Sequence, residues 1–213
     1  MSTDPKAIVQ HLATREAWMR GTVETLRTRD LTVPSVLPGW SLAHVLVHMA
    51  RNADSNRRRI EAAARGELVD QYVGGAAGRA RDIENGAARD AATVVDDAIA
   101  SSHALDGAWQ TVDSAHWDAE SRDLSGTVRT LASLPHRRLA EVEVHVVDLG
   151  VGPTQRDWSQ PFVDRFLPSL RATVASRLPA GVDPPHLALD ARDELWWLFG
   201  RGEFPGLPQL APL

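Results

Sequence analysis

Pro135-His136-Arg137-Arg138-Leu139-Ala140-Glu141-Val142-Glu143-Val144-His145-Val146-Val147-Asp148-Leu149-Gly150 reads as one helix, opened by proline and closed by a C-cap glycine. A spacing of four stacks Glu141 directly under His145 on one face of that helix. A carboxylate and an imidazole on an otherwise apolar helix are costly to bury unpaired, so the pair asks for a partner. Upstream, Gly39-Trp40-Ser41-Leu42-Ala43-His44-Val45-Leu46-Val47-His48 offers one. Two imidazoles and a carboxylate make a three-ligand zinc site with an open fourth position, which is the catalytic pattern. His44 and His48 are four apart, so both can point into a bundle and either could be the ligand. The bland alternative is a hydrogen-bonded core histidine.

Working outward, Asp4-Pro5 is an N-cap followed by proline at the first helical position. Ile8, Leu12, Met19, Val23 and Leu26 then fall on one stripe, predicting an amphipathic helix over roughly 5–28. Residues 34–39 form a loop, and Ser41 caps a second helix whose apolar face is Leu42, Val45, Leu46 and Met49, running to Gly66. A Gly-rich stretch around Gly74-Gly75 and Gly78 leads to a long helix through Val94, Val95, Ile99, Leu105 and Trp109. Residues 113–133 read as an irregular excursion with a short hairpin, and 135–150 as the fourth helix. Four helices with two long connections predict a four-helix bundle, in which inward-facing side chains on different helices commonly build metal sites.

The chain changes character after Gly150-Val151-Gly152-Pro153. Phe162, Phe166, Leu170 and Val174 predict a helix bent or interrupted by Pro168, His186 to Ala191 a single strand, and Asp193 to Gly200 a short helix with Trp196 and Trp197 as core anchors. The expected organisation is a bundle over 1–152 carrying the metal site, and a small, shortened α+β domain over 153–213.

Composition narrows the function. At 213 residues with 43% hydrophobic and 24% charged residues, the chain has the profile of a soluble globular protein. A net charge of −5 gives no electrostatic case for nucleic acid or an anionic membrane. No apolar run is long enough to span a bilayer, and Met1-Ser2-Thr3-Asp4-Pro5 does not read as a signal peptide, so a cytoplasmic protein is expected. It is expected as a monomer that takes a small-molecule substrate. Cysteine is absent, which leaves any metal to His and carboxylate and requires the sulfur of any thiol chemistry to come from a bound thiol. Nothing supports a nucleophilic serine, a P-loop or a dinucleotide fingerprint.

The neighbouring charges carry both bland and functional readings. Glu143 points away from the stacked pair and is expected as a solvated or rim charge. Asp148, a turn beyond His145, sits unfavourably against the helix dipole and suits a ligand histidine's free ring nitrogen or a substrate group. Arg138 could form a surface ion pair with Glu141, and Arg57-Arg58-Arg59 reads as a solvated helix face.

Pro38-Gly39-Trp40-Ser41, Ala43-His44 and Val47-His48-Met49-Ala50-Arg51-Asn52, followed by Glu141-Val142-Glu143-Val144-His145-Val146-Val147-Asp148-Leu149-Gly150, resemble the mycothiol-dependent maleylpyruvate isomerase family. The resemblance covers about 1–152. Beyond that, Trp197-Leu198-Phe199-Gly200-Arg201-Gly202 is similar to the end of that family's small C-terminal domain. It implies a mainly α fold, a DinB-like four-helix bundle with a small C-terminal α+β lobe. It also implies zinc, or another divalent metal, held by His48, Glu141 and His145, mycothiol as the thiol cofactor, and Asp148 and Arg201 as catalytic or cofactor-binding groups. The implied reaction takes maleylpyruvate, or a related unsaturated acid, to fumarylpyruvate by reversible thiolate addition, rotation and thiol expulsion. An arginine suits the enolate-like charge and the carboxylates, and Lys6 is the only lysine available to compete for that task. Two rivals stay open: a mycothiol S-transferase on the same scaffold, and a non-catalytic, metal-stabilised binding protein in which His44 closes the site.

Overall fold

The computed structural model describes residues 4–210; residues 1–3, at the start of the stretch read as lacking a signal peptide, and 211–213 lie outside them. Chain contacts separate two compact units, one ending at Val151 and the other beginning at Gly152. The protein is mainly α, with a DinB-like bundle.

Four long helices build the first unit: α1 (Pro5–Glu24), α2 (Leu42–Ala63), α4 (Ala91–Gln110) and α5 (Leu134–Asp148), with a shorter α3 (Gly75–Ala87) between α2 and α4. Each of α1 and α2 packs against both α4 and α5, which closes the bundle, and α3 lies on α2. Side-chain caps start three of the long helices. Asp4 accepts from the Lys6 amide, Ser41 from that of His44, and Asp90 from that of Thr93. At the end of α5, Gly150 takes the left-handed conformation (φ 67°) expected of a C-terminal glycine. The core holds Leu12, Met19 and Val23 from α1, Val45 and Leu46 from α2, Val94 and Leu105 from α4, and Leu139, Val142 and Val146 from α5.

One buried polar layer crosses this core and touches all four long helices. Arg138 on α5 donates to Glu16 on α1 at 2.7 and 3.2 Å, and to Met49 O and Asn52 Oδ1 on α2 at 2.9 and 3.0 Å. Ser102 on α4 donates to Glu16 at 2.7 Å. Arg138 is thus a central tie of the bundle rather than a surface partner of Glu141, because its side chain points between helices. Glu143 is likewise fully buried, 2.8 Å from Arg15, instead of solvated. In the arginine run, Arg57 pairs with Glu61, but Arg59 is buried and donates to Ser55 O, Asn56 Oδ1 and Ser121 Oγ. Burial pushes the Arg59 guanidinium down to about 10.

The Gly-rich stretch enters a helix that sequence reading did not resolve. Its glycines lower helix propensity, yet they allow close packing: a Cβ on Gly78 would lie 1.9 Å from Val73 O, and one on Gly86 2.5 Å from a Val47 methyl on α2. The anticipated hairpin forms from β1 (Glu120–Arg122) and β2 (Val128–Thr130), antiparallel with Ser121 opposite Arg129.

In the second unit, α6 (Gln160–Arg171) runs through Pro168, and α7 (Val174–Arg177) and α8 (Ala191–Leu198) follow. Pro168 is tolerated because the carbonyl it leaves without an amide belongs to exposed Asp164. α6 packs on α8 around Trp158, Phe162 and Trp196, and Trp197 is also buried. The strand anticipated from His186 is not formed among the described residues. A strand needs a ladder partner, and among the described residues no other segment of this unit supplies one.

Candidate metal centre

Helices α2 and α5 are neighbours in the bundle and pack face to face. The capped start of α2 sets its rotation so that His48 turns inward, with only 6% of its side chain exposed. On α5, the four-residue spacing sends Glu141 and His145 toward the same point. His48 Nε2 lies 2.9 Å from Glu141 Oε2 and 3.1 Å from His145 Nε2, and His145 Nε2 lies 3.3 Å from Glu141 Oε2. The two imidazoles meet edge to face, their centroids 4.7 Å apart.

The donor set fits a divalent ion. A tetrahedral zinc with bonds of ~2.0–2.1 Å sets its ligands roughly 3.3 Å apart, close to the spacings seen here. Among the described residues, these three side chains form the one group of His and carboxylate ligands that could hold a metal. Nδ1 of His145 is 2.9 Å from Asp148 Oδ2, so a proton is held there and Nε2 is the nitrogen turned to the site. Asp148 itself is fully buried.

His44 goes elsewhere. Its Nδ1 lies 2.7 Å from Ser41 Oγ and accepts from the Ser41 amide, completing a capping box, while Nε2 reaches toward Glu84 at 3.4 Å. Trp40, in the loop before α2, sets its ring edge-on to His48 at 5.4 Å and stacks near His44 at 6.3 Å.

The charges of the three groups are strongly coupled. Burial holds His48 down to about 4, against the pull of Glu141. Burial would also lower His145, but hydrogen bonds to Asp148 and Glu141 outweigh it and raise the group to about 9. Burial would raise Glu141, but hydrogen bonds from the two imidazoles hold its carboxyl well below the usual range. The arrangement stabilises a carboxylate and one cationic imidazole in close contact, a charge pattern that a divalent cation can replace.

One further group stands at the centre. Arg79 on α3 places Nη2 3.0 Å from His48 Nδ1, with its guanidinium 5.9 Å from the centre of the Trp40 ring and 5.8 Å from that of Tyr72. Sequence reading missed it because the contact joins residues 31 apart through a helix it did not resolve. Arg201 belongs to the other unit, in the turn after α8, where Nη1 donates to Phe199 O at 2.6 Å.

A family model described as "Mycothiol maleylpyruvate isomerase N-terminal domain" matches residues 11–150. Among solved structures, the chain is similar to a crystal structure of the mycothiol-dependent maleylpyruvate isomerase, with 19% identity and a TM-score of 0.80. That match covers 96% of this chain and 97% of the other. It is equally similar to a histidine-to-alanine mutant of that enzyme, at 18% identity, with the same coverage and a TM-score of 0.80. No curated protein sequence matches the chain.

Proposed function

Since the chain belongs to the mycothiol maleylpyruvate isomerase family, we propose that it is a zinc- and mycothiol-dependent cis–trans isomerase of maleylpyruvate or a related unsaturated acid. The observation that carries the proposal is the convergence of His48, Glu141 and His145, two imidazoles and a carboxylate within 4.8 Å of one another. A zinc ion in this donor set would lower the pKa of a mycothiol sulfhydryl, supplying at neutral pH the thiolate that this cysteine-free chain lacks.

The chain's own residues have separable tasks. His48, Glu141 and His145 hold the metal, and Asp148 fixes the tautomer of His145 by accepting from its Nδ1–H. Trp40 shields one side of His48 from water. Arg201 is assigned to the carboxylate or the developing enolate charge, on the resemblance of Phe199-Gly200-Arg201-Gly202 to the family's C-terminal end and on the fit of a guanidinium fork to a carboxylate. In this reading residues 1–152 form the metal-bearing domain and 153–213 the small C-terminal one, acting as a cytoplasmic monomer.

The test adds mycothiol and maleylpyruvate to zinc-loaded protein and follows isomer formation and thiol consumption together. Isomerisation with thiol conserved, and none in thiol-free buffer, is the expected result. Stoichiometric thiol loss would make the protein an S-transferase. Neither signal would leave a non-catalytic metal-stabilised protein, and full activity without thiol would overturn the mechanism.

A further inference from the structure

Arg79 stands against the metal centre in an arrangement that a bound ion would not permit. A guanidinium has donors only, so at 3.0 Å from Arg79 Nη2 the Nδ1 of His48 must be the acceptor. A neutral imidazole that accepts at Nδ1 carries its proton on Nε2. That is the nitrogen aimed at Glu141 and His145, 2.9 and 3.1 Å away. A metal at Nε2 needs the lone pair there and moves the proton to Nδ1, where it would meet the guanidinium donor to donor. The Arg79 contact and metal ligation by His48 therefore exclude each other.

Where Arg79 would go is also set by its surroundings. Among the described residues it has no carboxylate partner; its contacts are His48 and the faces of Trp40 and Tyr72. Its side chain is partly exposed on the first turns of α3, whose start is anchored by the close approach of Gly78 to Val73 O. Released from His48, the guanidinium keeps its aromatic support and stands one imidazole ring from the metal position with its donors unsatisfied. An anion is the partner such a group lacks.

Resting on the metal-centre reading above, we infer that Arg79 and the metal compete for His48, and that loading the centre frees Arg79 to hold a carboxylate of the anionic ligand. Arg79 is then a specificity-determining residue on the bundle side of the site. It also couples two events: metal loading returns to the anion the donor that His48 had engaged.

The experiment compares wild type with Arg79→Met, which keeps an apolar stem against Trp40 and Tyr72, and with Arg79→Lys. Zinc affinity is measured by competition with a chromophoric chelator, and fumarate, an unreactive dicarboxylate probe, is titrated calorimetrically into apo and zinc-loaded protein. Arg79→Met should bind zinc more tightly, by about tenfold, because a competing donor and a repelling charge are gone. It should bind fumarate at least about tenfold more weakly in the zinc-loaded form, with Arg79→Lys between the two. Wild type should bind fumarate more tightly when loaded than as apo protein, and equal affinity in the two forms would also overturn the inference. A loss of zinc affinity in Arg79→Met would mean that Arg79 merely positions His48, and would overturn the inference. So would equal fumarate affinity in loaded wild type and Arg79→Met, or no fumarate binding by loaded wild type. Wild type that takes up no zinc would instead remove the metal centre itself, and this inference with it.

Discussion

Asp148 lies one helical turn beyond His145 and holds the ring nitrogen of that histidine facing away from Glu141, at 2.9 Å. The carboxylate sits at the C-terminal end of α5, where the helix dipole opposes a negative charge, and it is fully buried. His145 gives this placement its compensation. Asp148→Asn keeps the size and an acceptor but removes the charge that raises the basicity of the ring. Zinc affinity should fall by about ten- to a hundredfold, as measured by chelator competition, with the helical content unchanged. Unaltered affinity would detach Asp148 from the centre.

Removal of one imidazole should separate the ligand from its neighbour. His48→Ala should strip most of the metal, as seen by elemental analysis, while the bundle stays folded, because its apolar faces carry the fold. His44→Ala should keep the metal and weaken the start of α2 by about 0.5–2 kcal/mol, the scale of a lost cap. The reverse pattern would make His44 the ligand.

Arg201→Lys preserves charge but loses the fork. In the isomerase assay, turnover should fall roughly tenfold or more, equivalent to losing ~1.4 kcal/mol or more of transition-state stabilisation, at unchanged zinc content. Wild-type kinetics would place the cation elsewhere. Arg138 would not be that cation, because it is committed to Glu16 in the core.

That core pair makes its own prediction. Arg138→Met leaves Glu16 buried with its charge uncompensated, and urea denaturation should show a loss of about 3–5 kcal/mol. Combining it with Glu16→Gln should recover much of that loss, since the stranded charge disappears. Additive losses would mean that the two residues act independently.

The hairpin turn should leave a mark at acid pH. Asp123 accepts from the Ser125 amide and hydroxyl, the Thr127 amide and Arg129. Burial alone would raise its carboxyl, but these bonds hold it well below 3.8. A carboxyl depressed by folding contributes stability above its unfolded value and loses it as pH falls through the folded one. Urea midpoints should therefore drop below about pH 4 more steeply in wild type than in Asp123→Asn, which lacks the titrating group. Parallel acid limbs would contradict this.

Helix period, caps and turn residues are local properties, and they were enough to place α1, α2, α4 and α5 and the hairpin, and to stack Glu141 with His145. Periodicity tells which face of a helix is apolar; it does not tell which neighbour that face meets. The choice between His44 and His48 therefore waited on the tertiary structure, because their spacing of four puts both on one side of α2 and only His48 reaches α5. Arg138 and Glu143 looked like surface charges for the same reason: each finds its partner on α1, more than a hundred residues away in the chain. Helix α3 was hidden by glycines that weaken a helix in isolation but let it sit close to α2, and Arg79 was hidden with it. The amino-acid order by itself determined the elements and the donor types. Packing decided which charges were buried, which were paired and which histidine turned to the centre, since those outcomes depend on contacts between helices that no local spacing encodes.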